Sequence, residues 1–92
     1  MRSGTNAPIG PPVTGVRVME LDDDLSLYHP DTGRALVLNG TASDIWRLLD
    51  GTLDEEHVVR LLAAAYDADP AAIREDVRRV VAELTEHGFL PS

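Results

Sequence analysis

Apolar residues alternate with polar ones between Val16 and Leu38, and from Thr41 onward they recur at every third or fourth position. The first period belongs to half-buried strands and the second to amphipathic helices. Val16 to Leu21 is the first expected strand, with Val16, Val18 and Glu20 on one face and Arg17, Met19 and Leu21 on the other. Asp22-Asp23-Asp24 ends it. Leu25 to His29 is the second, with Leu25, Leu27 and His29 alternating against Ser26 and Tyr28. Pro30-Asp31-Thr32-Gly33 then reads as a hairpin turn, since Pro30 presets a turn dihedral and Gly33 tolerates the left-handed position that closes it. Arg34 to Leu38 is the third strand, antiparallel to the second, with Leu36 and Leu38 toward the core and Ala35 and Val37 away from it.

Three helices follow. Thr41-x-x-Asp44 resembles a capping box, and Ala42, Ile45, Leu48 and Leu49 form a stripe flanked by Trp46, ended by Gly51. Thr52-x-x-Glu55 is a second such box, ahead of an apolar stripe of Val58, Leu61, Leu62, Ala65 and Tyr66. Asp69 as cap and Pro70 at the first helical position open the third helix, whose stripe is Ile73, Val77, Val80, Val81 and Leu84. Gly88 should end it, with Phe89 folding back onto it. Strands grouped before helices predict an α+β domain with helices on one face of a three-stranded antiparallel meander. The last two helices form a helix-turn-helix unit, so the arrangement is that of a winged helix.

Ninety-two residues fit one domain. Residues 1–14, with Gly4, Pro8, Gly10, Pro11 and Pro12, read as a disordered tail, and residues 15–92 as the folded domain. The absence of cysteine excludes disulfides and thiolate metal sites. No run of about 18 apolar residues offers a membrane span, and no apolar segment follows Arg2 as in a secretory signal, so the cytoplasm is the default expectation. A net charge of −8 disfavours nucleic acid and suits a basic partner, or serves solubility alone.

Candidate chemistry is sparse. His29, His57 and His87 are far apart and no carboxylate pattern joins them into a metal site; Glu83 and His87 share a helix face but read better as a surface pair. The acidic run at Asp22 lacks the further ligands of a calcium loop. Ser26 and Ser43 have no base placed by motif, and no glycine-rich phosphate cradle exists. Asp24-Leu25-Ser26 has the carrier-protein attachment residues in the wrong order. A DNA-reading third helix would use Arg74, Arg78 and Arg79, but Glu75, Asp76, Glu83 and Glu86 share that helix. Neither an enzyme nor a cofactor is expected. What remains is the third strand: nothing in Arg34 to Leu38 guards its free edge, and an unguarded edge beside an apolar helix can accept an extended peptide as an added strand. The competing reading is that the third helix covers this strand and its stripe is all core.

Tyr28-His29-Pro30, Leu38-Asn39, Leu48-Leu49-Asp50-Gly51, Tyr66, Asp76-Val77, Leu84 and Gly88-Phe89-Leu90 stand in an order and spacing that resembles the PqqD-like family, over roughly Val16 to Leu90. These are peptide-recognition elements of pathways that make ribosomally synthesised, modified peptides. The resemblance implies a winged-helix fold of three strands and three helices. It also implies binding of a precursor's leader segment, added to the third strand and packed on the third helix, for presentation to modifying enzymes. By position, the peptide contacts it implies are Arg34, Ala35, Leu36, Val37 and Leu38 on the strand, and Ile73, Asp76, Val77, Val80, Val81 and Leu84 on the helix. Within the family the chain is most similar to the separate B1 proteins of lasso-peptide pathways, which implies a B2-type leader protease and a macrolactam cyclase as partners. The alternatives are a peptide chaperone for a radical-SAM enzyme of pyrroloquinoline quinone synthesis, and a winged-helix regulator. The open edge also leaves monomer and edge-paired dimer as expected states.

Overall fold

A computed structural model describes residues 7–91. Its elements are β1 (Arg17–Leu21), β2 (Asp24–His29), β3 (Arg34–Leu38), α1 (Gly40–Leu48), α2 (Glu55–Tyr66) and α3 (Pro70–Glu86). The strands form one antiparallel sheet in the order β1-β2-β3, so β3 and β1 are both edges. The expected meander and the helix order are therefore present, as a winged-helix-like arrangement.

Two turns set the sheet register. Asp22 adopts a left-handed φ of 55° and lets Leu21 pair directly with Asp24. Gly33, at φ 74°, donates its N–H to the His29 carbonyl at 2.8 Å and closes the β2–β3 turn. That register pairs Leu25 with Leu38, Leu27 with Leu36 and His29 with Arg34, which places these six side chains on one face. Leu25, Leu27 and Leu38 are buried there and Leu36 is half-buried. Tyr28, Ala35, Val37 and Met19 share the outer face and are exposed. β1 differs from its expected half-buried pattern: all five of its residues are exposed, because the helices pack under β2 and β3 and leave it overhanging.

The helices fill the inner face. Ile45, Leu49, Val58, Val59, Val77, Leu84 and Phe89 form the centre of the core with Leu25, Leu27 and Leu38. Ser43 is fully buried, and its hydroxyl is satisfied by donating to the Leu38 carbonyl at 3.0 Å. Asp69 caps α3 with Pro70 in its first turn, and Phe89 folds back as the sequence predicts. The other two caps differ. Asn39, not Thr41, caps α1 by accepting from the Ala42 N–H. Asp54, not Thr52, caps α2 by accepting from the His57 N–H. In both places the better acceptor lies close to the expected Thr: the residue two before it in one case, two after it in the other. Thr52 instead donates its hydroxyl to Asp50.

The expectation of a tail over residues 1–14 is not met at residues 9–13. Residues 1–6 lie outside the described residues, and residues 9–13 lie against the domain. Ile9 donates to the Leu53 carbonyl, Gly51 donates to the Ile9 carbonyl, and Val13 donates to the Phe89 carbonyl, all within 3.0 Å. Ile9 also packs on the core. Prolines and glycines make this segment look structureless in sequence, but here they allow a close-fitting strap with few side chains.

Candidate functional site: the open edge of β3 and the flank of α3

β3 pairs with β2 on one side and with no strand on the other among the described residues. Its unpaired main-chain groups are a template for a further strand, which would lie about 4.8 Å away. α1 comes within 8 Å of β2 and β3 between Cα atoms, whereas α3 comes that close to neither. The link between β3 and α3 is a long hydrogen bond, from Arg34 Nη1 to the Glu86 carbonyl at 3.5 Å. Thus α3 does not pair with or closely cover the β3 edge.

The stripe of α3 is nonetheless core. Ile73, Val77, Val80 and Leu84 are all buried, the last three at 2% exposure or less. Val81 is half-buried and packs against the core. At 100° per residue it shares a flank with Arg74, Arg78 and Thr85. That flank faces α2, because Arg74 reaches Glu56 at 2.6 Å and Arg78 grips Glu55 through two bonds of 2.9 and 3.0 Å. The opposite flank carries Asp76, Val80, Glu83 and His87. Of the helix residues implied by the resemblance, Asp76 is therefore on the flank turned away from α2, Val81 is on the α2 flank, and Ile73, Val77, Val80 and Leu84 are fixed in the core, with Val80 on the side of the stripe nearest Asp76. On the strand, Arg34, Ala35 and Val37 are exposed, Leu36 is half-buried and Leu38 is buried.

The electrostatics of α3 bear on the DNA alternative. Arg78 holds the Glu55 carboxyl below its ordinary range through its side-chain hydrogen bonds, and the same bonds raise Arg78. Arg79 pairs with Asp76 at 3.4 Å. All three arginines of the helix are thus engaged by carboxylates, the reverse of a surface prepared for phosphates. Among the described residues no group of three or more His, Asp or Glu side chains is placed to hold a metal ion. No helix there is long and apolar enough to cross a membrane.

A second surface was not read from the sequence. Asp44, Arg47 and Leu48 of α1 and Leu61, Leu62, Ala65 and Tyr66 of α2 line an open trough of about 350 Å³. Sequence periodicity assigned Leu61, Ala65 and Tyr66 to the core. In the structure Val58 and Leu62 of the expected stripe are buried as expected, but with Val59 and Ala63 in place of the other three, so the core face of α2 is rotated toward Val59 and Ala63.

Known proteins place this fold. The chain superimposes on TbiB1 in complex with the TbiA(beta) leader peptide with a TM-score of 0.78 and 27% identity, over 88% of this chain and 94% of that one. It matches a lasso peptide synthetase B1 complexed with the leader peptide at TM-score 0.75 and 25% identity, over 89% and 96%. It matches the PqqD part of Methylobacterium extorquens PqqCD, a stand-alone recognition element for ribosomally synthesised and post-translationally modified peptides, at 0.76 and 28%, over 98% and 94%. In sequence it is 39% identical over 57 residues to the PqqA binding protein of Rhodopseudomonas palustris, covering 62% of this chain and 56% of that relative. The chain thus spans a little over half the length of that relative. Residues 24–90 match the family of coenzyme PQQ synthesis protein D. That match takes in β2, β3 and all three helices, and the protein belongs to the PqqD family.

Proposed function

We propose that the chain binds the leader segment of a ribosomally synthesised precursor peptide as a fourth strand on β3 and presents it to processing enzymes, a leader protease and a cyclase of a lasso-peptide pathway. The observation that carries this reading is the unpaired β3 edge with α3 standing off from it, in a fold shared with two leader-bound B1 proteins. An added strand gains register from main-chain hydrogen bonds with β3. Its alternate side chains point inward beside Leu36, toward the flank of Asp76 and Glu83. One or two apolar leader side chains buried there contribute about 1.5–3 kcal/mol each before ordering costs. Tethering by the leader then raises the effective concentration of the rest of the precursor at the enzyme. A cytoplasmic site of action, where such precursors are made, belongs to this reading.

A second reading is supported by the relative that is a PqqA binding protein: peptide presentation to a radical-SAM enzyme. Fluorescence polarisation with the leader of the neighbouring precursor gene, with PqqA and with scrambled leader separates the two readings. A scan of backbone N-methyl groups along the bound peptide tests the mode. Strand addition predicts losses of about 0.5–1.5 kcal/mol at every second position. A loss profile without that alternation excludes an added strand, and no saturable binding of either peptide by folded chain excludes the function.

A further inference from the structure

The apolar side of α2 is wider than the core uses. Leu61 is 51% exposed and Tyr66 42% exposed, and with Leu48, Leu62 and Ala65 they form the floor and walls of the α1–α2 trough. The trough continues into a polar compartment of about 380 Å³ lined by Asp22, Asp23, Gly40, Thr41, Asp44, Arg47 and Tyr66. The Tyr66 hydroxyl donates to Asp44 where the two compartments meet, and this contact raises the Tyr66 pKa. Arg47 is drawn to Asp44 at 3.3 Å and Glu20 at 3.8 Å, which leaves Asp22 and Asp23 as exposed carboxylates on the rim. The surface is thus apolar at one end and acidic at the other. It is built from α1, α2 and the β1–β2 turn, and shares no residue with the β3 edge or the α3 flank.

Resting on the proposed function, we propose that this trough is the docking site for the enzyme that processes the bound precursor, and that it accepts a segment of that enzyme with apolar side chains followed by lysine or arginine. Two features select this occupant. The exposed leucine and tyrosine are apolar surface that a docked segment would remove from water, as at the anchor positions of protein interfaces. The acidic end matches a basic segment and repels another copy of this acidic chain. Because the surfaces are separate, leader and enzyme are held at once, which tethering requires.

The test uses the full chain, its purified leader protease or cyclase, and the labelled leader. Leu61→Asp is placed on an exposed side chain and leaves the core intact. It should weaken enzyme binding by about tenfold or more while leaving leader affinity unchanged. Asp22→Asn with Asp23→Asn should weaken it less and flatten its salt dependence. Asn is at ease at the left-handed Asp22, so this pair does not disturb the turn. Enzyme binding undiminished by Leu61→Asp, or absent in a chain that binds leader, overturns the docking proposal and leaves leader binding standing. Self-association that Leu61→Asp abolishes assigns the trough to a second copy and also overturns it. Failure of the unmodified chain to bind leader is a different result and removes the proposed function itself.

Discussion

Gly10 and Gly51 meet where the N-terminal strap crosses the α1–α2 connection, and neither has room for a side chain. A Cβ on Gly10 would collide with the Leu49 carbonyl oxygen, and one on Gly51 would lie 2.7 Å from Pro11 Cδ. Gly51 also holds a left-handed φ of 89° and donates to the Ile9 carbonyl. The Leu48-Leu49-Asp50-Gly51 sequence is therefore the seat of the strap as well as the end of α1. Gly51→Ala should cost about 1–3 kcal/mol, from dihedral strain together with displacement of the strap. Gly33→Ala is the control: φ is 74° but a Cβ there meets nothing within 4 Å, so only the strain of about 1 kcal/mol applies. Urea unfolding of the two variants checks this. Equal losses would mean that the strap adds nothing to stability.

The leader site separates from the core by substitution. Leu36 is half-buried at the open edge, so Leu36→Asp should leave the chain folded and reduce leader affinity by about tenfold or more. Val37, 60% exposed on the outer face, would sit across from an outward leader side chain. Val37→Asp should weaken binding by about 0.2–1 kcal/mol, the scale of one cross-strand pair. Leader polarisation measured beside circular dichroism distinguishes these losses from unfolding.

Val77 behaves in the opposite way. It has no exposed surface and lies in the core against which Leu38 and Leu84 pack. Val77→Ala should lower stability by about 1–3 kcal/mol with little change in leader affinity measured on the folded fraction. A specific loss of leader binding at unchanged stability would place Val77 in the groove after all.

How much of this could be read from the chain follows from what each signal reports. Period and turn chemistry found all six elements, because Gly33, Pro70 and Gly88 each mark a backbone position that few other residues suit. The β2 and β3 faces were legible for the same reason: strand alternation leaves only two choices. The α2 face was not, since Val58 and Leu62 fit two overlapping stripes, one continuing through Leu61 and Tyr66 and the other through Val59 and Ala63. Only the packing of α1 and α3 decides between them. On α3, Val80 and Val81 are adjacent in sequence, but they point to opposite sides of the core stripe. The arginine contacts that orient the helix, Arg74 to Glu56 and Arg78 to Glu55, are long-range and carry no local signal.

Acid should loosen the N-terminus of α2 first. Asp54 is held below its ordinary 3.8, chiefly by the His57 backbone N–H that it caps, and Glu55 below its ordinary 4.5, chiefly by the Arg78 side chain. Both values are depressed on folding, so the stabilisation is complete above the unfolded values and is lost as pH falls through the folded ones. Stability from these two groups should therefore be flat at neutral pH and decline below about pH 4.5. Asp54→Asn keeps an oxygen for the His57 N–H but cannot be protonated, and Glu55→Gln removes the charge that Arg78 grips. The double variant should be less stable than the parent at neutral pH and lose less on acidification. Urea midpoints taken from about pH 8 down to about pH 3 check this. An acid slope identical in parent and double variant would assign the acid sensitivity to other carboxylates of the chain. A reduced slope would assign it to the N-terminus of α2, where Asp54 caps the helix and Glu55 ties it to Arg78 of α3.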